Sequence, residues 1–145
     1  METKTVLIKN SKYIPEYKSQ LASGADVKAV LAQPIIIKPG QTCAISTGLF
    51  VEIPVGFEIQ VRPRSGLALN NSVTVLNTPG TVDADYRGEI KVILINHSQQ
   101  DFTVNDGDRI AQVVLCPVYQ IKFSIVDQLG ESQRSADGFG STGMK

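Results

Sequence analysis

Residues 55–62 read VGFEIQVR, and their alternation decides the fold class. Val55, Phe57, Ile59 and Val61 fall on one face of an extended chain, with Glu58, Gln60 and Arg62 on the other. That period of two is the pattern of a half-buried strand. KPGQTCAISTGLFVEIP (38–54) before it, and GEIKVILIN (88–96) and RIAQVVLCPVYQIKFSI (109–125) after it, are rich in Val, Ile, Thr and Phe and punctuated by Pro and Gly. Such composition belongs to strands and turns. The last two stretches are nearly continuous apolar runs, as expected of strands covered on both faces. Helical character is confined to one short turn at SGLALNN (65–71), just after Pro63. The whole predicts an all-β sandwich or barrel.

With 145 residues the chain has the size of a single domain with a real core. We expect a β core over residues 1–126 and, as part of the same domain, a polar, flexible arm over 127–145. The 14 basic and 14 acidic residues cancel, so overall charge draws the protein neither to nucleic acid nor to a membrane surface. No apolar run approaches the roughly 18 residues of a membrane span. METKTVLIKN lacks the basic-then-apolar order of a secretory signal, so the expected location is the cytoplasm. Cys43 and Cys116 lie in strand-like stretches, without C-x-x-C spacing and away from His97. They read as small buried thiols rather than a metal site.

The densest polar cluster is NTPGTVDADYRGE (77–89). Asn77, Pro79, Gly80 and Gly88 are turn formers. If Thr81 to Tyr86 is extended, Asp83 and Asp85 share one face. Two such carboxylates are either solvated acids of a hairpin, or a metal site or a general base. RPRSGLA (62–68) sets Arg62, Arg64 and Ser65 where a strand ends and a helical turn begins, which suits either phosphate or a serine N-cap beside surface arginines. GDRIAQ (107–112) reads as a turn entering a strand, with Arg109 and Gln112 outward. ASGADVKA (22–29) is a glycine turn whose Asp26 can be a simple turn cap. GFGSTG (138–143) has the spacing G-x-G-x-x-G, but only Met144 and Lys145 follow it, so the strand–loop–helix context of a dinucleotide site is missing. It reads either as terminal disorder or as a cradle of main-chain N–H groups for phosphate.

Taken in order, ASGADVKA, PRSGLA, NTPGTVDADYRGE, GDRIAQ and RSADGFGSTG resemble the five motifs of the trimeric deoxyuridine triphosphatase (dUTPase) family, across residues 22–143. The resemblance implies a jelly-roll-like distorted β-barrel, a homotrimer with active sites at subunit interfaces, and Mg²⁺-dependent hydrolysis of dUTP to dUMP and pyrophosphate. Such a reaction keeps uracil out of DNA and supplies dUMP for thymidylate synthesis. By the same resemblance Asp83 activates the water that attacks the α-phosphate. Asn77, with the main chain of Gly80, Thr81 and Val82 and with Lys91 nearby, reads uracil. Tyr86 packs on the deoxyribose and excludes a 2′-hydroxyl. Arg64, Ser65, Gly66 and Gln112 take the phosphates. Arg134, Phe139, Gly140, Ser141 and Thr142 belong to an arm that closes over the nucleotide, Phe139 stacking on the base and Arg134 reaching the terminal phosphate. Asp26 touches the metal only through water, and Ala25 beside it departs from the aromatic residue the family often carries there. Alternatives are a catalytically silent nucleotide-binding or regulatory module of the same fold, a dCTP deaminase-like enzyme, which would need a glutamate and relay hydroxyls at the base, and a plain β-barrel interaction domain.

Overall fold

The computed structural model describes residues 2–9, 11–139 and 141. Eleven strands and one short helix follow in the order β1 (Leu7–Ile8), β2 (Ala25–Lys28), β3 (Ile35–Ile37), β4 (Thr42–Leu49), β5 (Val51–Glu52), β6 (Phe57–Arg62), α1 (Ser65–Asn71), β7 (Val73–Val75), β8 (Gly80–Val82), β9 (Ile90–Asn96), β10 (Phe102–Val104) and β11 (Arg109–Pro117). All pairings are antiparallel. A four-stranded sheet runs β2-β11-β6-β8, a three-stranded sheet runs β4-β9-β7, and β1-β5 and β10-β3 form two-stranded pieces. The expected all-β class is borne out as a distorted jelly roll without a closed barrel.

The core lies where the inner faces of these sheets meet. Ile59 and Val61 of β6 are buried there, with Ile45, Val73, Val75, Val92, Leu94, Val104 and Ile110. Burying a branched side chain of this kind contributes about 1.5–3 kcal/mol. Asn96, with Thr47 one of two fully buried polar residues among those described, is fully satisfied. Its Nδ2 donates to the carbonyls of Ile37 at 2.8 Å and Gln100 at 2.7 Å, and its Oδ1 accepts from the Ser98 amide at 2.9 Å. One side chain thereby joins β3, β9 and the turn after β9, and an unpaired amide there would carry a desolvation cost.

Several readings of the sequence need correction. Val55 is not on the inner face of β6 but is 94% exposed. Gly56, at φ +87°, lets the Phe57 amide reach the Pro54 carbonyl at 3.2 Å. This turn tip projects Val55 into solvent before the alternation begins. The two apolar runs are not covered on both faces within one chain. In β9 the buried Val92 and Leu94 alternate with half-buried Ile93 and Ile95, and β11 stops at Pro117, leaving Tyr119, Ile121, Phe123 and Ile125 exposed. Cys43 and Cys116 are free thiols, half-buried rather than enclosed. The helical turn at SGLALNN is present as α1, but Arg64 occupies the N-cap position and no side chain caps the helix, so Ser65 is its first residue and not its cap. No helix among the described residues is long and apolar enough to cross a membrane.

The N-terminal segment is tied to the body through Asp106. Its Oδ2 accepts from Lys12 Nζ at 2.6 Å and the Tyr13 hydroxyl at 2.9 Å, and its Oδ1 accepts from the Leu31 amide at 3.0 Å. The Lys12 ammonium foremost, then the Leu31 amide and Tyr13, hold the Asp106 carboxyl down at about 2, against an ordinary value of 3.8. An acid depressed by folding stabilises the folded state above its unfolded pKa and loses that contribution as pH falls through the folded value. The tie's contribution to stability should therefore be full above about pH 4 and be lost between about pH 4 and 2, the folded carboxyl itself being half protonated near 2. The Leu31 amide resonance followed by NMR should report a midpoint near 2, absent in Asp106→Asn. A midpoint near 3.8 would mean that the tie does not form.

Candidate active site

Gly80–Val82, as β8, pair with β6 in the register Val61↔Gly80 and Ile59↔Val82. Gly80 is buried, and a Cβ there would stand 3.1 Å from Asn77 Nδ2, so the Asn77 carboxamide rests on the glycine backbone. The turn into β8 contains a cis Thr78–Pro79 bond. Beyond Val82 the chain does not stay extended. The Tyr86 amide bonds back to the Asp83 carbonyl at 3.1 Å, so Asp83 and Asp85 are not alternate positions of one strand face. Asp83 is exposed at the lip of a surface cleft of about 780 Å³, which also takes in Thr81, Val82, Tyr86, Glu89 and Lys91.

Tyr86 is held in a definite pose at this cleft. Its hydroxyl donates to the Glu89 carbonyl at 3.0 Å, and its ring lies so close over Gly88 that a Cβ would overlap both ring and hydroxyl. Glu89 is a participant that sequence reasoning missed. Its Oε1 accepts from the Gly48 amide at 2.9 Å, and its Oε2 lies 3.9 Å from Lys91 Nζ. The sequence signal was only an acid closing the polar run, since Gly48 lies 41 residues away and meets it through the bulge in β4.

A second cluster forms where β2, β11 and the end of β6 come together. Gln112 of β11 stands between Asp26 of β2 and Arg62 of β6. Its Nε2 donates to the Pro63 carbonyl at 2.9 Å, and its amide covers Gly24, where a Cβ would overlap it. The Asp26 side chain is 13% exposed and accepts from Arg64 Nε and Arg109 Nη1, each at 3.0 Å. Arg64 Nη1 also donates to the Arg109 carbonyl at 3.1 Å. Ser65 and Gly66 open α1 beside this group and are exposed.

These clusters do not meet within one chain. Asp83 follows the residue opposite Ile59, near the start of β6, whereas Arg64 lies two residues past its end. At about 3.3 Å per residue the separation along the strand is roughly 20 Å. Arg134, Phe139 and Ser141 approach neither cluster. Among the described residues the arm's hydrogen bonds run within the arm, from Arg134 Nε to the Asp137 carbonyl at 2.7 Å and from the Ser141 amide to the Gly138 carbonyl at 3.0 Å. Phe139 is fully exposed. Gly140 and Thr142 lie outside the described residues. No three acidic, histidine or cysteine side chains among the described residues converge as a cation cage.

The dUTPase family pattern matches residues 10–143. A deoxyuridine 5'-triphosphate nucleotidohydrolase of Bdellovibrio bacteriovorus is 55% identical over 130 residues, covering 90% of this chain and 87% of that protein. A mutant dUTPase of Staphylococcus bacteriophage 80alpha, solved with dUpNHpp, superposes with a TM-score of 0.86 at 23% identity, covering 97% of this chain and 99% of that one. A mutant dUTPase of phage phi11 of S. aureus, described for its coordination of a structural Mg(II) ion, superposes with a TM-score of 0.78 at 19% identity, covering 88% and 100%. At these identities the two structures establish likeness of fold.

The pose of Tyr86 is open to a direct check in urea unfolding. Tyr86→Phe removes one exposed hydrogen bond and should cost about 0.5–1.5 kcal/mol at most. Gly88→Ala must move a whole ring and should cost more, about 1–3 kcal/mol. The reverse order would show that the ring does not rest on Gly88.

Proposed function

The chain belongs to the dUTPase family, and from that premise we propose that it hydrolyses dUTP to dUMP and pyrophosphate with Asp83 as the base. The observation that carries the reading is the cleft that gathers Asp83 with Thr81, Val82, Tyr86 and Lys91. β8 is the edge strand of its sheet, so the main-chain groups on its outer side have no strand partner. They are free to pair with a pyrimidine edge, and the Asn77 carboxamide beside Gly80 adds a donor and an acceptor. Cytosine would set its amine against a donor there and leave buried groups unpaired. Thymine's methyl would collide with the narrow hairpin. Tyr86, fixed by Gly88 and the Glu89 carbonyl, offers its ring to the deoxyribose and leaves no room for a 2′-hydroxyl.

Asp83 is solvent-exposed, so water reaches its carboxylate. In the proposed step that carboxylate takes a proton from the water as its oxygen bonds to the α-phosphorus. The bond from the α-phosphorus to the bridging oxygen breaks, and pyrophosphate departs with the electron pair. Arg64, Ser65, Gly66 and Gln112 hold the phosphates, and the roughly 20 Å along the strand between Arg64 and Asp83 calls for a second copy of the chain to supply them. The exposed alternation of Tyr119, Ile121, Phe123 and Ile125 also suits burial against another copy. Both features support a homotrimer with sites at subunit interfaces. Mg²⁺ on the triphosphate oxygens would offset their charge. Asp26 would act on that ion through water, for which its carboxylate oxygens retain lone pairs. The arm residues Arg134, Phe139, Gly140, Ser141 and Thr142 close over the bound nucleotide and exclude bulk water.

Pyrophosphate release measured with Mg²⁺ should be rapid from dUTP and marginal from dTTP, dCTP and UTP. Asp83→Asn should lower kcat by about 10²–10⁴-fold. Equal release from all four nucleotides would refute the hairpin as selector. A chain truncated before Arg134 should keep its assembly by sedimentation and lose most turnover; unchanged turnover would remove the arm from the mechanism.

A further inference from the structure

We propose that Arg109 is a positioning residue that keeps the Arg64 guanidinium available to the triphosphate by occupying half of Asp26. The proposal rests on the reading of Arg64 as a phosphate ligand. Asp26 divides its carboxylate between two cations, Oδ1 to Arg64 Nε and Oδ2 to Arg109 Nη1, each at 3.0 Å. A carboxylate facing one arginine frequently takes a two-point fork that engages two N–H groups in parallel. Such a fork would turn the phosphate-binding edge of Arg64 inward and cancel its charge. With Oδ2 turned to Arg109 Nη1, the carboxylate presents one oxygen to Arg64, whose Nη1 is fixed instead on the Arg109 main-chain carbonyl at 3.1 Å. The guanidinium is planar, so fixing Nε and Nη1 fixes the direction of its remaining N–H groups. The two arginines and one aspartate keep a net positive charge in a setting where Asp26 is largely shielded from solvent.

A bulge in β11 places Arg109 for this role. Between Arg109 and Ala111 the register shifts, with Arg109 opposite Lys28 and Ala111 opposite Val27. Two consecutive residues, Ile110 and Ala111, are therefore both buried. Bulges re-aim the side chains next to them, and here Arg109 is brought to Asp26, not to the residue directly across the ladder.

The test uses the full chain and variants Arg109→Ala, Arg109→Lys, Arg64→Ala and the Arg64→Ala/Arg109→Ala pair. Calorimetry would measure binding of dUMP and of dUpNHpp, the analogue with a non-hydrolysable bridge. Arg109→Ala should weaken dUpNHpp by about tenfold, the scale of one charge-assisted hydrogen bond, and leave dUMP unchanged. Arg109→Lys, which still gives Oδ2 a donor, should recover most of the loss. The double variant should bind no more weakly than Arg64→Ala alone. Losses that multiply in the double variant would mean that Arg109 meets the nucleotide itself and would overturn the proposal, as would an unaltered Arg109→Ala. In the nucleotide-free protein the Arg64 Nε–H resonance should move in Arg109→Ala and return in Arg109→Lys. An unmoved resonance overturns the proposal whatever the substrate. A resonance that moves in a protein releasing no pyrophosphate from dUTP overturns only the catalytic reading.

Discussion

The pairing of β6 with β8 is the constraint on which the arrangement of both clusters depends. Val61 against Gly80 and Ile59 against Val82 put the apolar side chains of both strands into the core. A slip of one residue would turn every side chain of β8 to the opposite face, exposing Val82 and directing Thr81 inward. With this register set, the chain leaves β8 at Asp83, just as the inner alternation ends, and the next residues must turn. β6 delivers Pro63 and Arg64 at its other end, beside β11 and β2. One ladder thus assigns the Asn77–Asp83 hairpin and the Arg64 group to opposite ends of the same strand.

Much of the fold was legible in the sequence because burial imposes a period. Phe57 to Arg62 alternate as read, and the one helix among the described residues lies where Pro63 and SGLALNN placed it. The failures are local and have local causes. Val55 obeys the alternation by composition, but Gly56 reverses the chain before the strand starts. The apolar runs of β9 and β11 predicted double coverage, yet a single chain covers one face only, leaving Ile93 and Ile95 half-exposed. Apolar content records every surface that is eventually buried and does not say by which copy.

Candidate site residues could be named from the sequence, but the contacts that couple them could not. Motif order singled out Asn77, Asp83, Tyr86, Arg64 and Gln112, and the structure sets them in two groups. Glu89, whose partner Gly48 arrives from another strand, was passed over, and Arg109 was read only as an outward side chain because its direction depends on a bulge. Gly24 and Gly88 read as turn formers, but their role also lies in what rests on them, the Gln112 amide and the Tyr86 ring. Long-range contacts of this sort have no signature in spacing, because spacing records distance along the chain, and these residues are neighbours only across it.

Two independent features of the chain are unfinished in the same way. The polar groups that the chemistry needs are split by a strand's length. The segment after Pro117 carries an apolar ridge, Tyr119, Ile121, Phe123 and Ile125, with Gln120, Lys122 and Ser124 between, in the alternation of a strand that has no sheet. Four large apolar side chains left in water would forfeit several kcal/mol of burial, and none of the described residues of their own chain covers them. A partner copy that covered this ridge would also bring a second set of clusters near the first. Under the proposed function the same association would supply both apolar contacts for the ridge and phosphate ligands for the Asp83 cleft, and catalytic competence would then depend on assembly as well as on folding of the single chain.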